Sequence, residues 1–317
     1  MTIIAGIDEA GYGPTLGPLI VAAAVFRLEE GSKEEDLNHL VQLKADHGGL
    51  RIGDSKQLYH SGTSINRIET TTLGHAVLGR GVLPVRFDAL LEGSINTKPE
   101  EIQDLPWYQD RLLSLPLPRA SHADDILNRA AIQQSLIAEQ GISFLDFTLI
   151  PIMVPQFNRL TKSSKSKAWT LFYAAARLIE ELVRRYPDDE LIIHLDRHGG
   201  RIHYGPMLQS LFPLAPFTTV QEKREESIYA LHWPGRNPVH IDFRVKADAV
   251  RTPVALASVI AKTVRELFME CINQCFMETC DGLQPTAGYP EDARRFLDAV
   301  DPQLEKMGKR EQLIRCR

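Results

Sequence analysis

The chain has 317 residues, 44% hydrophobic and 24% charged, enough apolar material to bury a substantial core. Its formal net charge of −5 excludes a protein that coats nucleic acid through a generally basic surface, and leaves room only for a local phosphate-binding face. No basic region followed by an apolar run and a cleavage site opens the sequence, and no apolar stretch approaches the roughly 20 residues of a membrane span. A cytoplasmic protein without membrane association is therefore the default expectation. Cys271, Cys275, Cys280 and Cys316 show neither a disulfide framework nor a CxxC zinc pattern, and read as reduced thiols.

In chain order, Ile3 to Ile7 form an apolar run ending at Asp8 and Glu9. The turn-prone Gly11, Tyr12, Gly13 and Pro14 follow, then a second apolar run from Leu19 to Phe26, which together predict two paired strands. A polar span from Glu29 to Gly49 precedes Gly53-Asp54-Ser55-Lys56-Gln57-Leu58, after which a helix and further strand material are expected up to Phe87. Prolines at 99, 106, 116 and 118 predict a long excursion over the surface from Gly93 to Arg119. A helix from Asp124 to Gln140, capped by Ser121 and closed by Gly141, leads to strand material at Phe144 to Met153.

Ala168, Trp169, Leu171, Phe172, Ala175, Leu178, Ile179 and Leu182 recur at three- and four-residue intervals and predict an amphipathic helix. Leu191 to Leu195 reads as a buried strand ending at Asp196, and the alternating run Val239 to Val245 leads to Asp248. A long helix is expected from about Pro253 to Cys275, since proline is well tolerated in a first turn. Strands followed by helices, with acids at strand ends and no internal repeat, predict an α/β layered fold.

Asp8, Asp196 and Asp248 each end or closely follow a predicted strand, where a sheet can gather distant residues at one edge, and Glu9 adds a fourth carboxylate. Hard divalent ions prefer oxygen ligands, and phosphoryl chemistry often employs two ions about 4 Å apart. A single acid after a strand is more often a turn residue or a helix cap. The pair Asp8 and Glu9 says more, because a glycine-rich turn follows at once and puts backbone amides beside the charge. His194, Asp196 and His198, with His203 nearby, open a second reading as a zinc hydrolase, and His198 is also a candidate for proton transfer. The cluster Lys162 to Lys167 suits either phosphate contact or a solvated helix entrance. Trp107 and Tyr108 suit base stacking less well than a packed insertion.

The stretch Gly6-Ile7-Asp8-Glu9-Ala10-Gly11-Tyr12-Gly13-Pro14 closely resembles the ribonuclease HII motif written DEAGRGP, with Tyr12 in place of the usual arginine. Further likenesses come in the same order. Asp54 to Leu58 resembles DSKKL, Leu195-Asp196 resembles the strand-ending aspartate that a glycine usually follows, and Lys246-Ala247-Asp248 resembles KGD. Ala255 to Arg265 resembles the helix AASILAKVxRD, and Gly288-Tyr289 is similar to the GYGT segment. Several segments in one order are far more specific than one glycine-rich acidic motif.

The resemblance implies a ribonuclease H-like fold, a central mixed β-sheet flanked by helices. It implies one catalytic domain over 1–317, with a family-atypical insertion at about 60–140 and a helical part from about 253. Asp8, Glu9, Asp196 and Asp248 are then the catalytic acids, binding two Mg2+ or Mn2+ ions. The turn Gly11, Tyr12 and Gly13 then lies against a ribonucleotide 2′-hydroxyl. Lys56, Ser258 and Lys262 face the substrate, with Arg265 on the same helical stripe, and Tyr289 stacks near the ribose. The implied activity is endonucleolytic: cleavage of the RNA strand of RNA–DNA hybrids, or incision 5′ of a ribonucleotide in duplex DNA, leaving 3′-hydroxyl and 5′-phosphate ends, by a monomer. A catalytically impaired hybrid-binding module is the alternative, and four retained acids speak against it. A ribonuclease HIII relative fits less well, since the motif starts at residue 6 and leaves no room for that relative's amino-terminal domain.

Overall fold

In a computed structural model, described over residues 1–39, 48–59, 63–95 and 99–316, seven strands form one mixed sheet. Residues 40–47 of the polar span and 60–62 at the start of the expected insertion lie outside the described residues. The strands are β1 (Thr2–Ala10), β2 (Leu19–Leu28), β3 (Ile142–Ile152), β4 (Glu190–Asp196), β5 (Phe217–Glu222), β6 (Glu226–Leu231) and β7 (Val239–Arg244). Their order is β3-β2-β1-β4-β7-β6-β5. The centre, β1-β4-β7, is parallel, and both flanks are antiparallel. Parallel pairing aligns the carboxyl ends of β1, β4 and β7, so Asp8 and Glu9, Asp196 and the segment that carries Asp248 come to one edge.

Before β3 the helices are α1 (Glu34–Asn38), α2 (Ser55–Leu58), α3 (Asn66–Arg80), α4 (Phe87–Leu90), α5 (Pro99–Gln103), α6 (Arg111–Ser114) and α7 (Ala123–Ala138). After it come α8 (Val154–Ser164), α9 (Lys167–Arg185), α10 (Gly205–Leu211), α11 (Thr252–Met277), α12 (Pro290–Met307) and α13 (Arg310–Leu313). The α/β fold with a mixed sheet flanked by helices is thus as expected. Among the described residues no helix is long and apolar enough to cross a membrane.

Strand alternation sorts the core into two layers. Ile3, Ala5 and Ile7 of β1, with Leu191, Ile193 and Leu195 of β4, pack under α9. Ile4, with Ile20, Ala22 and Ala24 of β2, packs under α11. The long helix is buried on nearly every side, which explains its high apolar content along its whole length.

Several expectations are corrected. The described residues of 93–119, which leave out 96–98, are no surface excursion: Trp107 and Tyr108 are each 1% exposed and pack against Phe276 and Phe268 of α11. Prolines confine them to short helical turns without expelling them from the core. Ser121 does not cap α7; its hydroxyl bonds the Asn66 carbonyl and the Thr70 hydroxyl instead. Gly141 does adopt the left-handed conformation that ends the helix, at φ +64. In place of a strand before Phe87 there is an isolated bridge between Arg86 and Pro116. The β5–β6 hairpin and α8 carried no recognised periodicity.

Gly6 has a packing reason. A Cβ there would fall on the backbone of Pro253 and Val254, so the first turn of α11 rests directly on β1 two residues before Asp8. Backbone cannot step aside as a side-chain tip can. Gly6→Ala is expected to destabilise the protein by about 2–3 kcal/mol in urea unfolding, and an unchanged midpoint would contradict this contact.

Candidate active site

Asp8 is 9% exposed near the end of β1 and hydrogen-bonds the Ser258 hydroxyl on α11. Ser258 also pairs with Ser55 Oγ at 3.1 Å, which joins α2 to the same point. Asp54 caps α2 by accepting the Lys56 amide at 2.9 Å, so the DSK segment is a helix start that presents Lys56. Asp196 accepts the Ala247 amide at 2.9 Å, which fastens the end of β4 to the helical turn Ala247–Ala249 carrying Asp248. Lys246 enters this turn with φ 55.

All four carboxyls are pushed above their ordinary range, and burial is the first cause in each. Mutual repulsion adds to it. Asp8 feels Glu9 and Asp196, Glu9 feels Asp196, and Asp248 feels Asp196 and Asp54. Glu9 is raised from 4.5 to about 7. Lys56 opposes this at Glu9, Asp196 and Asp248. Among the described residues no three His, Cys, Asp or Glu side chains converge closely enough to hold one ion. That spacing suits bare carboxylates that repel one another. The donor set is all oxygen and excess negative charge, so in kind it fits hard divalent cations.

The glycine-rich turn is shaped from behind. Gly11 has φ +91, and a Cβ there would stand 2.6 Å from Arg265 Nε, so glycine is required on both counts. At Gly13 a Cβ would meet nothing, which leaves its backbone open to the outside. Thr15 and Leu16 donate their amides to the Gly288 carbonyl at 2.8 and 3.2 Å. Arg265 Nη2 donates to the carbonyls of Leu16 and Ala287 at 3.4 and 2.9 Å. Arg315 donates to Gly17 O at 2.8 Å and to Gly11 O, and its own amide bonds Thr15 O at 2.9 Å. Burial, and then the neighbouring Arg265, hold the Arg315 guanidinium down to about 9.

Arg265 therefore does not belong to a polar stripe facing phosphates: its side chain is 1% exposed, with Nη2 on carbonyls and Nη1 3.6 Å from the Glu266 carboxylate. Lys262 stands 3.5 Å from Glu266 and over the Tyr59 ring, away from the four acids. Tyr289 is 44% exposed beside Gly288, and Tyr12 is 38% exposed, its hydroxyl raised by burial and then by Glu9.

The zinc reading fails on the same structure. His194 is buried and divided between Asp242 Oδ2 and Glu34 Oε1, each at 3.1 Å. Arg251 joins Glu34 and approaches Asp242 at 3.7 Å. Burial holds His198 down to about 4, which leaves it unsuited to take up a proton near neutrality. Arg197, where the family has glycine, donates to the carbonyls of Lys223 and Arg224 and anchors the β5–β6 turn. Sequence reasoning missed Arg315, Glu34 and Arg251. No local pattern marks Glu34 or Arg315, and Arg251 carried only its closeness to Asp248.

Comparison with known proteins comes to the same family as the motifs. Ribonuclease HII of Xylella fastidiosa (strain M12) is 30% identical over 106 residues, 29% of this chain and 43% of that protein. Ribonuclease HII of Acholeplasma laidlawii (strain PG-8A) is 48% identical over 44 residues, 14% of this chain and 21% of that protein. The chain thus spans less than half the length of the curated relatives it matches. Among solved structures, ribonuclease H2 of Pyrococcus horikoshii OT3 aligns over 99% of this chain and 92% of its own, with a TM-score of 0.45 and 16% identity. No family model matches the chain. Over these segments the chain is similar to ribonuclease HII, and it carries Tyr12 where the motif it resembles has arginine.

Two outcomes follow from this geometry. Because the Glu9 carboxyl is raised when folded, the stability linked to it is complete below about pH 4.5 and lost as pH rises through about 7. Glu9→Gln is expected to stabilise the metal-free chain by about 2–3 kcal/mol at pH 8 and not below pH 4, measured by urea unfolding. Arg315→Met, which removes two charged hydrogen bonds, is expected to speed amide hydrogen exchange across residues 11–17 by at least about tenfold. Unchanged exchange there would show that the turn holds its shape without it.

Proposed function

We propose that this chain is a divalent-metal-dependent endoribonuclease that cuts on the 5′ side of a ribonucleotide in an RNA–DNA hybrid or in duplex DNA. One observation carries the reading: four buried carboxylates lie along the carboxyl edge of the parallel strands and raise one another, with the Lys56 ammonium lowering three of them. So much buried like charge is costly unless cations join it. The sequence likeness to ribonuclease HII supports the same conclusion.

Asp8, Glu9, Asp196 and Asp248 would hold two Mg2+ or Mn2+ ions. Such ions, when bound, supply Lewis acidity at the phosphate, a more acidic water and charge for the leaving oxygen. Ser258 keeps Asp8 oriented, and the Ala247 amide keeps Asp196 oriented. Backbone amides of the Gly11 to Gly13 turn bind the ribose 2′-hydroxyl, and with Tyr12 in the arginine's place the turn recognises the sugar through backbone. Lys56 meets a non-bridging phosphate oxygen, and Tyr289 stacks on the sugar. Lys262 acts at longer range, through the field it shares with Glu266.

A duplex DNA carrying one ribonucleotide, incubated with Mg2+ or Mn2+, is expected to be cut by the wild type 5′ of the ribose, while the all-DNA duplex stays whole. Asp8→Asn should lower the rate by about 10³-fold, the scale of losing a transition-state contact. Folded wild-type protein that shows no metal-dependent cleavage would overturn the proposal. Binding without cleavage would favour the hybrid-binding alternative.

A further inference from the structure

A cavity of about 540 Å³ opens beside Glu9 on the α9 side of the acidic edge, within the size range of small-ligand sites. Tyr12, Leu171 and Ala168 line it together with the loop Arg197–His203. Strand alternation explains its place. Asp8 turns toward Ser258 under α11, and the next residue, Glu9, turns into this cavity. Lys56, Ser258, Lys262 and Tyr289 belong to α2, α11 and the start of α12, on the other side of the edge. The cavity and those residues therefore flank the acids from opposite faces of the sheet.

Its charge is unspent. Arg201 lines the wall and is exposed, and Lys167 begins α9 one residue before Ala168. Neither forms an ion pair with a described residue. Further along α9 the arginines are committed: Arg177 pairs with Glu180, and Arg184 and Arg185 pair with Glu181. In a chain with more acids than bases, unpaired cations beside a cavity are notable. The amino terminus of α9, a 19-residue helix capped by Ser166, also comes to this wall through Ala168. His198 adds an independent sign: its Nδ1 is buried in the same wall without a hydrogen-bond partner.

We propose that this cavity is a phosphodiester-binding subsite that takes the substrate strand on the α9 side of the cut, with Arg201 and Lys167 as its phosphate contacts. The assignment rests on the reading of the chain as a nuclease. It differs from that reading in what it needs, since a backbone contact contributes to affinity whether or not a bond is broken.

The test is fluorescence anisotropy with a labelled DNA duplex carrying one ribonucleotide, in Mg2+, with every variant in an Asp8→Asn background so that the strand persists. Dissociation constants are measured across a salt series. Arg201→Ala and Lys167→Ala are each expected to reduce the slope of log affinity against log salt by about one, and the double variant by about two. Lys306→Ala, a distant exposed charge on α12, should leave it unchanged. Arg201→Gln, which keeps a polar side chain but removes the charge, should behave as Arg201→Ala does. A double variant with the parental slope overturns the subsite, as does a parent protein that does not bind the duplex. Reduced slopes together with a wild type that never cuts would refute the nuclease reading and leave the subsite standing.

Discussion

Like charges held at one sheet edge are the constraint on which this structure turns. Parallel pairing of β1, β4 and β7 brings Asp8, Glu9, Asp196 and Asp248 together, and burial removes the water that would screen them. The fold meets this cost locally, with the Ser258 hydroxyl on Asp8, the Ala247 amide on Asp196 and the Lys56 ammonium near three of the four. What remains is uncompensated negative charge, which bound divalent cations would offset.

The second requirement is a rigid turn next to those acids. Residues 11–17 are tied down by Gly288, by Arg265 of α11 and by Arg315, three contacts remote in sequence. Two guanidiniums buried side by side repel each other, and each is lowered by burial, while the Glu266 carboxylate beside Arg265 works the other way. The three contacts explain how the turn can keep its shape with tyrosine at position 12: its form is set by backbone contacts behind it, and the side chain at 12 projects the other way.

Much of this was legible in the sequence where periodicity and local chemistry agree. The runs into Asp8 and Asp196, the α9 spacing and the α11 helix all follow from burial patterns that a strand or helix imposes. The stretch 93–119 misled, because proline density reports irregular backbone and not exposure, and Trp107 and Tyr108 carry that irregular backbone into the core. Hairpin β5–β6 was invisible since β5 lies at the sheet edge with mostly exposed side chains, which erases alternation. Arg265 read as a phosphate contact because helical spacing fixes a face and says nothing of what packs on it. Arg315 and the His194, Glu34, Asp242 and Arg251 network depend on tertiary contacts alone, so no local pattern announces them.

The central claim, that this acidic edge is a divalent-cation site, is tested most directly by calorimetric titration of Mn2+ at pH 7 in buffers of differing ionisation enthalpy. The structure predicts saturable binding with proton release, since Glu9 is partly protonated when bare, and loss of that binding in Asp196→Asn. Absence of saturable binding, or binding equal in the variant, would contradict it.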